Sequence, residues 1–229
     1  MGNIWGLILS LVLVFGIILL SQLLVKLFHL TKEESRKLVH IGVSNWWLVA
    51  MLAFDSWQWA IIPAVIFIVL NLISWYTGAF SAMERQPRNP HNLGTVYFPI
   101  SLSILVILTW HDSPVFAEAA PYIGGLGILA MGYGDGLAAL VGTRSGRRKY
   151  NILGTTKSLE GSLAMFIGSL VPIFILLMLG AQLGFLPALA YAVALATLAT
   201  LVEAITPWGL DNLTVPLIIS LAWIVVVGI

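Results

Sequence analysis

With 229 residues, 59% of them hydrophobic and 9% charged, and a mean hydropathy of +0.99, the chain cannot be an ordinary soluble domain, in which roughly a quarter of residues are charged. The absence of cysteine excludes disulfides, thiolate metal ligands and a thiol nucleophile. The formal net charge of +1 decides nothing by itself, so any electrostatic information lies in where the charges fall.

The composition reads as an all-α polytopic membrane protein. It has about eight transmembrane helices of roughly 20 residues each, in a single integral membrane domain over residues 1–229 with no soluble appendage, linker or internal repeat. The first apolar run, 4–27, lacks a basic leader and a small-residue cleavage site, and is expected to be a retained span and not a signal peptide. A charged cluster, HLTKEESRK, precedes the second span. Thr31 and Glu34 have capping-box spacing, so a helix is expected from about Lys32, with Arg36, Lys37 and His40 on its first two turns. Arg36 and His40 share a face at i,i+4, and flanking positive charge would explain them equally well.

A third span covers 57–76, with Trp57, Trp59, Trp75 and Tyr76 as interfacial anchors and Asn71 and Ser74 as interhelical hydrogen-bond formers. The longest polar connection follows, broken by Pro87 and Pro90 and ending at His91 and Asn92. Gly94 and Thr95 open the fourth span, which runs to Trp110. They offer backbone N–H groups and a hydroxyl to a phosphate, or simply cap the helix.

The fifth span, 117–142, is rich in glycine and contains Asp135, an acid expensive to bury unless it is paired or holds a metal. Gly132, Gly134 and Gly136 around it are expected to admit close approach by a ligand. The connection beyond carries Arg144, Arg147, Arg148 and Lys149 among glycines, a composition suited to phosphate. Lys157 and Glu160 then open the sixth span at i,i+3 and are expected to act as one unit on its first turn. The seventh, 188–205, ends at Glu203. Thr206-Pro207-Trp208-Gly209 breaks the chain, and Asp211-Asn212 heads the eighth, where Asp211 would also serve as a plain N-cap.

With this arrangement all eleven basic residues fall in the odd-numbered connections or their flanks, so those loops are expected to be cytoplasmic and both termini outside. Only Asp55, His111, Asp112 and Glu118 are ionisable on the other side. A transporter or channel spreads polar groups along a path through the bilayer. Collection on one face suits an enzyme that meets a soluble cytosolic reactant and a lipid head group at one interface of the cell membrane. The stretch 132–161, which joins an intramembrane acid to a glycine-lined cationic loop, suggests a polyphosphate and its metal. Gly154-Thr155-Thr156-Lys157-Ser158 lacks the glycine before lysine that a Walker A loop requires.

Five segments, SRKLVHIG (35–42), NLGTVYFP (92–99), GDGLAALVGTRSGRRK (134–149), GTTKSLEGS (154–162) and VEAITPWGLDNLTVPL (202–217), resemble in order and spacing the CTP-dependent lipid-alcohol kinases, the family of dolichol kinase, phytol kinase and CTP-dependent diacylglycerol kinases. The resemblance implies transfer of the γ-phosphate of CTP, with Mg2+ or another divalent cation, to a lipid alcohol in the bilayer, with no nucleic-acid partner. The oligomeric state is left open. The Asp, glycine-loop and Lys-x-x-Glu-Gly portion is also similar to CDP-diacylglycerol synthases, which makes a cytidylyltransferase the alternative; a small-solute transporter is the second alternative. Carried over by position, Arg36, Lys37, Asp135, the 142–157 loop, Lys157, Glu160, Glu203, Asp211 and Asn212 match the family's essential groups; the catalytic set assigned from them is Arg36, Lys37, His40, Asp135, Lys157, Glu160 and Asp211, with His40, His91 or Asp211 as base or supporting group. Nucleotide contacts fall to Gly94, Thr95, Gly136, Gly142, Arg144, Gly146, Lys149, Lys157, Ser158 and Asn212, and metal contacts to Asp135, Glu160 and Glu203. The chain is shorter than eukaryotic dolichol kinases, which points to a bacterial-type polyprenol or phytol kinase.

Overall fold

The computed structural model describes residues 2–77 and 93–229. His91, Asn92 and the Pro87–Pro90 connection lie outside the described residues. The helices are α1 (Asn3–Phe28), α2 (Lys32–Ser44), α3 (Trp46–Ala53), α4 (Trp57–Thr77), α5 (Gly94–Thr109), α6 (Pro121–Ser145), α7 (Leu159–Leu179), α8 (Phe185–Ile205) and α9 (Asp211–Val227). Between α6 and α7 stands one antiparallel hairpin, β1 (Lys149–Ile152) and β2 (Thr155–Ser158).

α1, α4, α6, α7 and α8 are long and apolar enough to cross a membrane, and α5 and α9 are shorter apolar helices. Their outer surfaces expose Val12, Phe15, Leu19, Leu70, Leu163, Leu186 and Val225, a distribution that water would penalise and hydrocarbon would not. α6 is the central helix, buried over most of its length and packed against α2, α5, α7 and α9. Around it lie the fully buried indoles of Trp46, Trp47 and Trp110. Trp47 Nε1 donates to the Pro121 carbonyl at 2.8 Å, and Trp46 Nε1 to Ser10 Oγ at 2.8 Å, so the polar edges of those two rings are satisfied, whereas Trp110 Nε1 has no hydrogen-bond partner among the described residues.

Local chemistry accounts for the element boundaries that matter to the site. α1 stops at His29, whose left-handed backbone (φ 51°) turns the chain back. The capping box then starts α2: Glu34 N donates to Thr31 Oγ1 at 3.2 Å and Thr31 N to Glu34 Oε2 at 2.9 Å. The expected second span is two helices broken at Asn45. Its side-chain amide donates to the Ile41 carbonyl at 2.8 Å, while its Oδ1 accepts from Tyr133 at 2.9 Å, tying the break to α6.

The all-α class holds, with one short hairpin added: Leu153 (φ 48°) and Gly154 (φ 79°) form a two-residue turn with both central residues left-handed, the geometry that matches strand twist. Lys157 therefore lies on a strand and not on a helical first turn. The helix begins at Leu159, capped by Ser158 Oγ, which accepts from Gly161 N at 3.1 Å.

Candidate active site

Close approach of α2 to α6 creates the centre of the site. A Cβ on Gly132 would collide with Ser44, and one on Gly136 with Ile41, so these glycines let the two helices touch along Ser44, Ile41 and Lys37. The expectation that Gly136 faces a ligand is thereby corrected, since Ile41 covers it. Because the helices touch, Lys37 Nζ reaches across and donates to Asp135 Oδ2 at 2.5 Å, with both side chains buried. His40, one turn further along α2, places Nε2 3.7 Å from the same oxygen. Asp135 thus pairs with Lys37, whereas Arg144 swings out to Glu34, with Nε–Oε1 at 2.5 Å.

The second pair comes from the hairpin. Register sets Tyr150 opposite Lys157 and aims Lys157 Nζ at the end of α8, where it donates to both the carboxylate and the backbone carbonyl of Glu203. Glu160, in contrast, turns back to the loop: its carboxylate accepts from Arg147 N at 3.1 Å and from Arg148 N at 3.3 Å. The expected unit of Lys157 with Glu160 is therefore replaced by Lys157 with Glu203. The i,i+3 argument required a continuous helix, and the strand ending at Ser158 removes it.

Asp211 supplies a third acid. The 206–210 turn, with Trp208 (φ 61°) and Gly209 (φ 78°) left-handed, brings the start of α9 beside the start of α5; a Cβ on Gly209 would lie 3.1 Å from Gly94 Cα and N. Asp211 Oδ1 accepts from Asn212 N at 3.0 Å and Asn212 Nδ2 at 3.1 Å, and among the described residues no cation pairs with it. Ligand oxygens of Asp135, Glu203 and Asp211 lie within 4.8 Å of one another. Three converging carboxylates facing two lysines leave one uncompensated negative charge if all are ionised. A hard divalent cation fits that oxygen donor set.

These groups line a polar pocket of about 700 Å³. Arg36, Lys37, Lys149 and Lys157 provide its cations; Gly94, Gly142, Gly146, Ser158 and Asn212 also line it. Arg36 is held by Glu33, with Nη2–Oε1 at 2.5 Å. Of the expected nucleotide contacts, Thr95, Gly136 and Arg144 are not among its lining residues, and neither is Glu160 from the metal set. His40 adjoins the pocket through Asp135 without lining it. Asp211 as a member of the carboxylate cluster was missed from sequence; its only local signal was a cap position, which is shared by many helices without ligands.

The chain is 34% identical over 204 residues to the phytol kinase of Synechocystis sp., covering 88% of this chain and 83% of that protein. It is 31% identical over 200 residues to a probable chloroplastic phytol kinase of Triticum aestivum, covering 80% of this chain and 64% of that protein, slightly less than two thirds. To the dolichol kinase of Saccharomyces cerevisiae it is 33% identical over 97 residues, which are 42% of this chain and 18% of that one. No family model and no solved structure matches the chain. Identity of this level across most of a phytol kinase establishes that the chain belongs to the lipid-alcohol kinases, phosphotransferases of the family that includes phytol kinase and dolichol kinase.

Proposed function

We infer that the polar pocket transfers the γ-phosphoryl group of CTP to the hydroxyl of a membrane lipid alcohol, whether polyprenol, dolichol, phytol or diacylglycerol, at the cytoplasmic face of the cell membrane. The observation that carries this reading is the convergence of Asp135, Glu203 and Asp211 between Lys37 and Lys157. Phosphoryl transfer is catalysed chiefly by positioning and by neutralising charge on phosphate oxygens. Asp135, Glu203 and Asp211 would hold a divalent cation such as Mg2+, which when bound would neutralise charge on the phosphate oxygens. Lys37 and Lys157 then contact the transferring group with point-like ammonium charges. Lys149 and the backbone around Gly142 and Gly146 hold the remaining phosphates. In the reaction the alcohol oxygen bonds to the γ-phosphorus, the bond to the bridging oxygen breaks, and CDP leaves as the hydroxyl proton passes to the protein.

Topology supports a single reactive face. Arg144 pairs with Glu34, which gathers the α1–α2 turn and the α6 end at the pocket side. At the other end of the bundle Asp55 N donates to Asn3 Oδ1 at 3.1 Å, and Trp57 N donates to Asp112 Oδ1 at 2.9 Å. We read the helices as eight spans, α2 and α3 forming one, with both termini outside. A cysteine at exposed Ser145 should then be shielded from an impermeant thiol reagent in intact cells and labelled after permeabilisation; ready labelling of intact cells would reverse the topology.

The direct test of the activity is purified protein in lipid–detergent micelles with CTP, Mg2+ and phytol. Phytyl phosphate should form, chelation should stop it, and restored Mg2+ should restart it. Equal product formation under chelation would remove the metal from the mechanism.

A further inference from the structure

A second cavity, of about 250 Å³, lies between α1, α2, α4 and α5 and touches the polar pocket at Arg36, Lys37, Gly94, Asp135 and Asn212. Apart from those shared residues its wall is mainly apolar, with Val14, Ile18, Val43, Phe67, Leu70 and Leu102 among its lining. Its polar atoms include two that are buried without a hydrogen-bond partner among the described residues, His40 Nε2 and Thr95 Oγ1. A buried polar atom left unpaired costs free energy, so such a pair beside an apolar cavity fits a ligand with a hydroxyl head and a hydrocarbon body. Two lining residues, Phe15 (58% exposed) and Leu70 (42% exposed), also stand on the outer surface of α1 and α4, which gives the cavity a side facing the bilayer.

Resting on the kinase reading above, we propose that this cavity is the acceptor site. It takes the hydroxyl-bearing end of a single-chain lipid alcohol that enters from the bilayer between α1 and α4, with its hydroxyl between His40 Nε2 and Thr95 Oγ1 beside Asp135. The volume falls just below the about 300–1,000 Å³ of ordinary small-molecule pockets. That volume suits the hydroxyl-bearing end of one branched chain better than a glycerol backbone with paired acyl chains. The hydroxyl donates to His40 Nε2 and accepts from Thr95 Oγ1. As the oxygen–phosphorus bond forms and CDP departs, the hydroxyl proton passes into the polar pocket that the cavity adjoins.

The site is tested with a phytol analogue carrying a diazirine on the carbons next to its hydroxyl. Photolysis of wild-type protein in nanodiscs should label peptides containing Val14–Ile18, Val43 and Leu102, and excess phytol, but not diacylglycerol, should suppress the label. Val14→Trp should raise KM for phytol at least tenfold and leave KM for CTP unchanged. Leu70→Trp, at the lipid-facing rim, provides the same test should Val14→Trp fold poorly. Cavity labelling in a protein that transfers no phosphate would sustain the site and sink the kinase reading. Phosphate transfer with label confined to other faces, or with equal competition by diacylglycerol, would overturn the site and leave the kinase reading standing.

Discussion

Asp135→Asn should lower turnover by about 100-fold or more, the range seen when one preorganised charge-stabilising group is removed from an active site. The residue is buried, its Oδ2 accepts from Lys37 at 2.5 Å, and its carboxylate is one of three that converge. A neutral amide is a poor ligand for a hard cation, so apparent affinity for Mg2+ should weaken with turnover. It also leaves the Lys37 ammonium buried without a counter-charge, and breaking such a pair costs about 3–5 kcal/mol. Lost folding and lost chemistry are separated by Lys37→Met/Asp135→Asn, which removes both charges. The double variant should recover thermal stability and recover no activity. Near-normal turnover with unchanged Mg2+ dependence in folded Asp135→Asn protein would eliminate the metal-ligand role.

Lys157→Met should have an effect of similar size, for a different structural reason. Its ammonium sits at the end of a strand and caps both the carboxylate and the carbonyl of Glu203 at the last turn of α8. Removing it uncovers a buried carboxylate and takes one cation from the phosphate site. Lys157→Met/Glu203→Gln should restore stability toward wild type while turnover stays about 100-fold down or lower. Lys157→Arg keeps the charge but exchanges a compact ammonium for a planar fork, and should retain stability with turnover reduced at least tenfold. Glu160→Gln behaves differently, because its carboxylate holds the Arg147 and Arg148 N–H groups and not Lys157; it should chiefly raise KM for CTP. Full activity in both Lys157→Met and Lys157→Arg would reduce the lysine to a structural ion pair.

Much of this was legible in the chain itself. Apolar runs set the helices to within a few residues, and Thr31 with Glu34 marked the start of α2 because both halves of the capping box are local. Asp135 stood out because burying an ionisable group is costly wherever it occurs, whereas Lys37 and Lys157 stood out through the resemblance to the lipid-alcohol kinases. Pairing was not legible. Lys37 and Asp135 are 98 residues apart, and nothing local says which cation crosses to which acid. The hairpin hid because Leu153-Gly154 lacks the asparagine or aspartate that usually announces a two-residue turn. That omission carried Lys157 onto a helix and toward Glu160. The glycines near Asp135 were read as room for a ligand when they are room for α2 and α7, since sequence shows a missing side chain but not what fills the space. The Asn45 break was hidden inside what reads as one span, and only its bonds to Ile41 and Tyr133 show why the helix divides.

Which phosphorus of CTP moves separates a kinase from a cytidylyltransferase, and parallel incubations with α-labelled and γ-labelled CTP measure that directly. Purified protein, Mg2+ and phytol or polyprenol in nanodiscs should place γ-label in a lipid phosphate and leave all α-label in CDP. Recovery of α-label in the lipid with release of pyrophosphate would contradict the account and make the site a cytidylyltransferase.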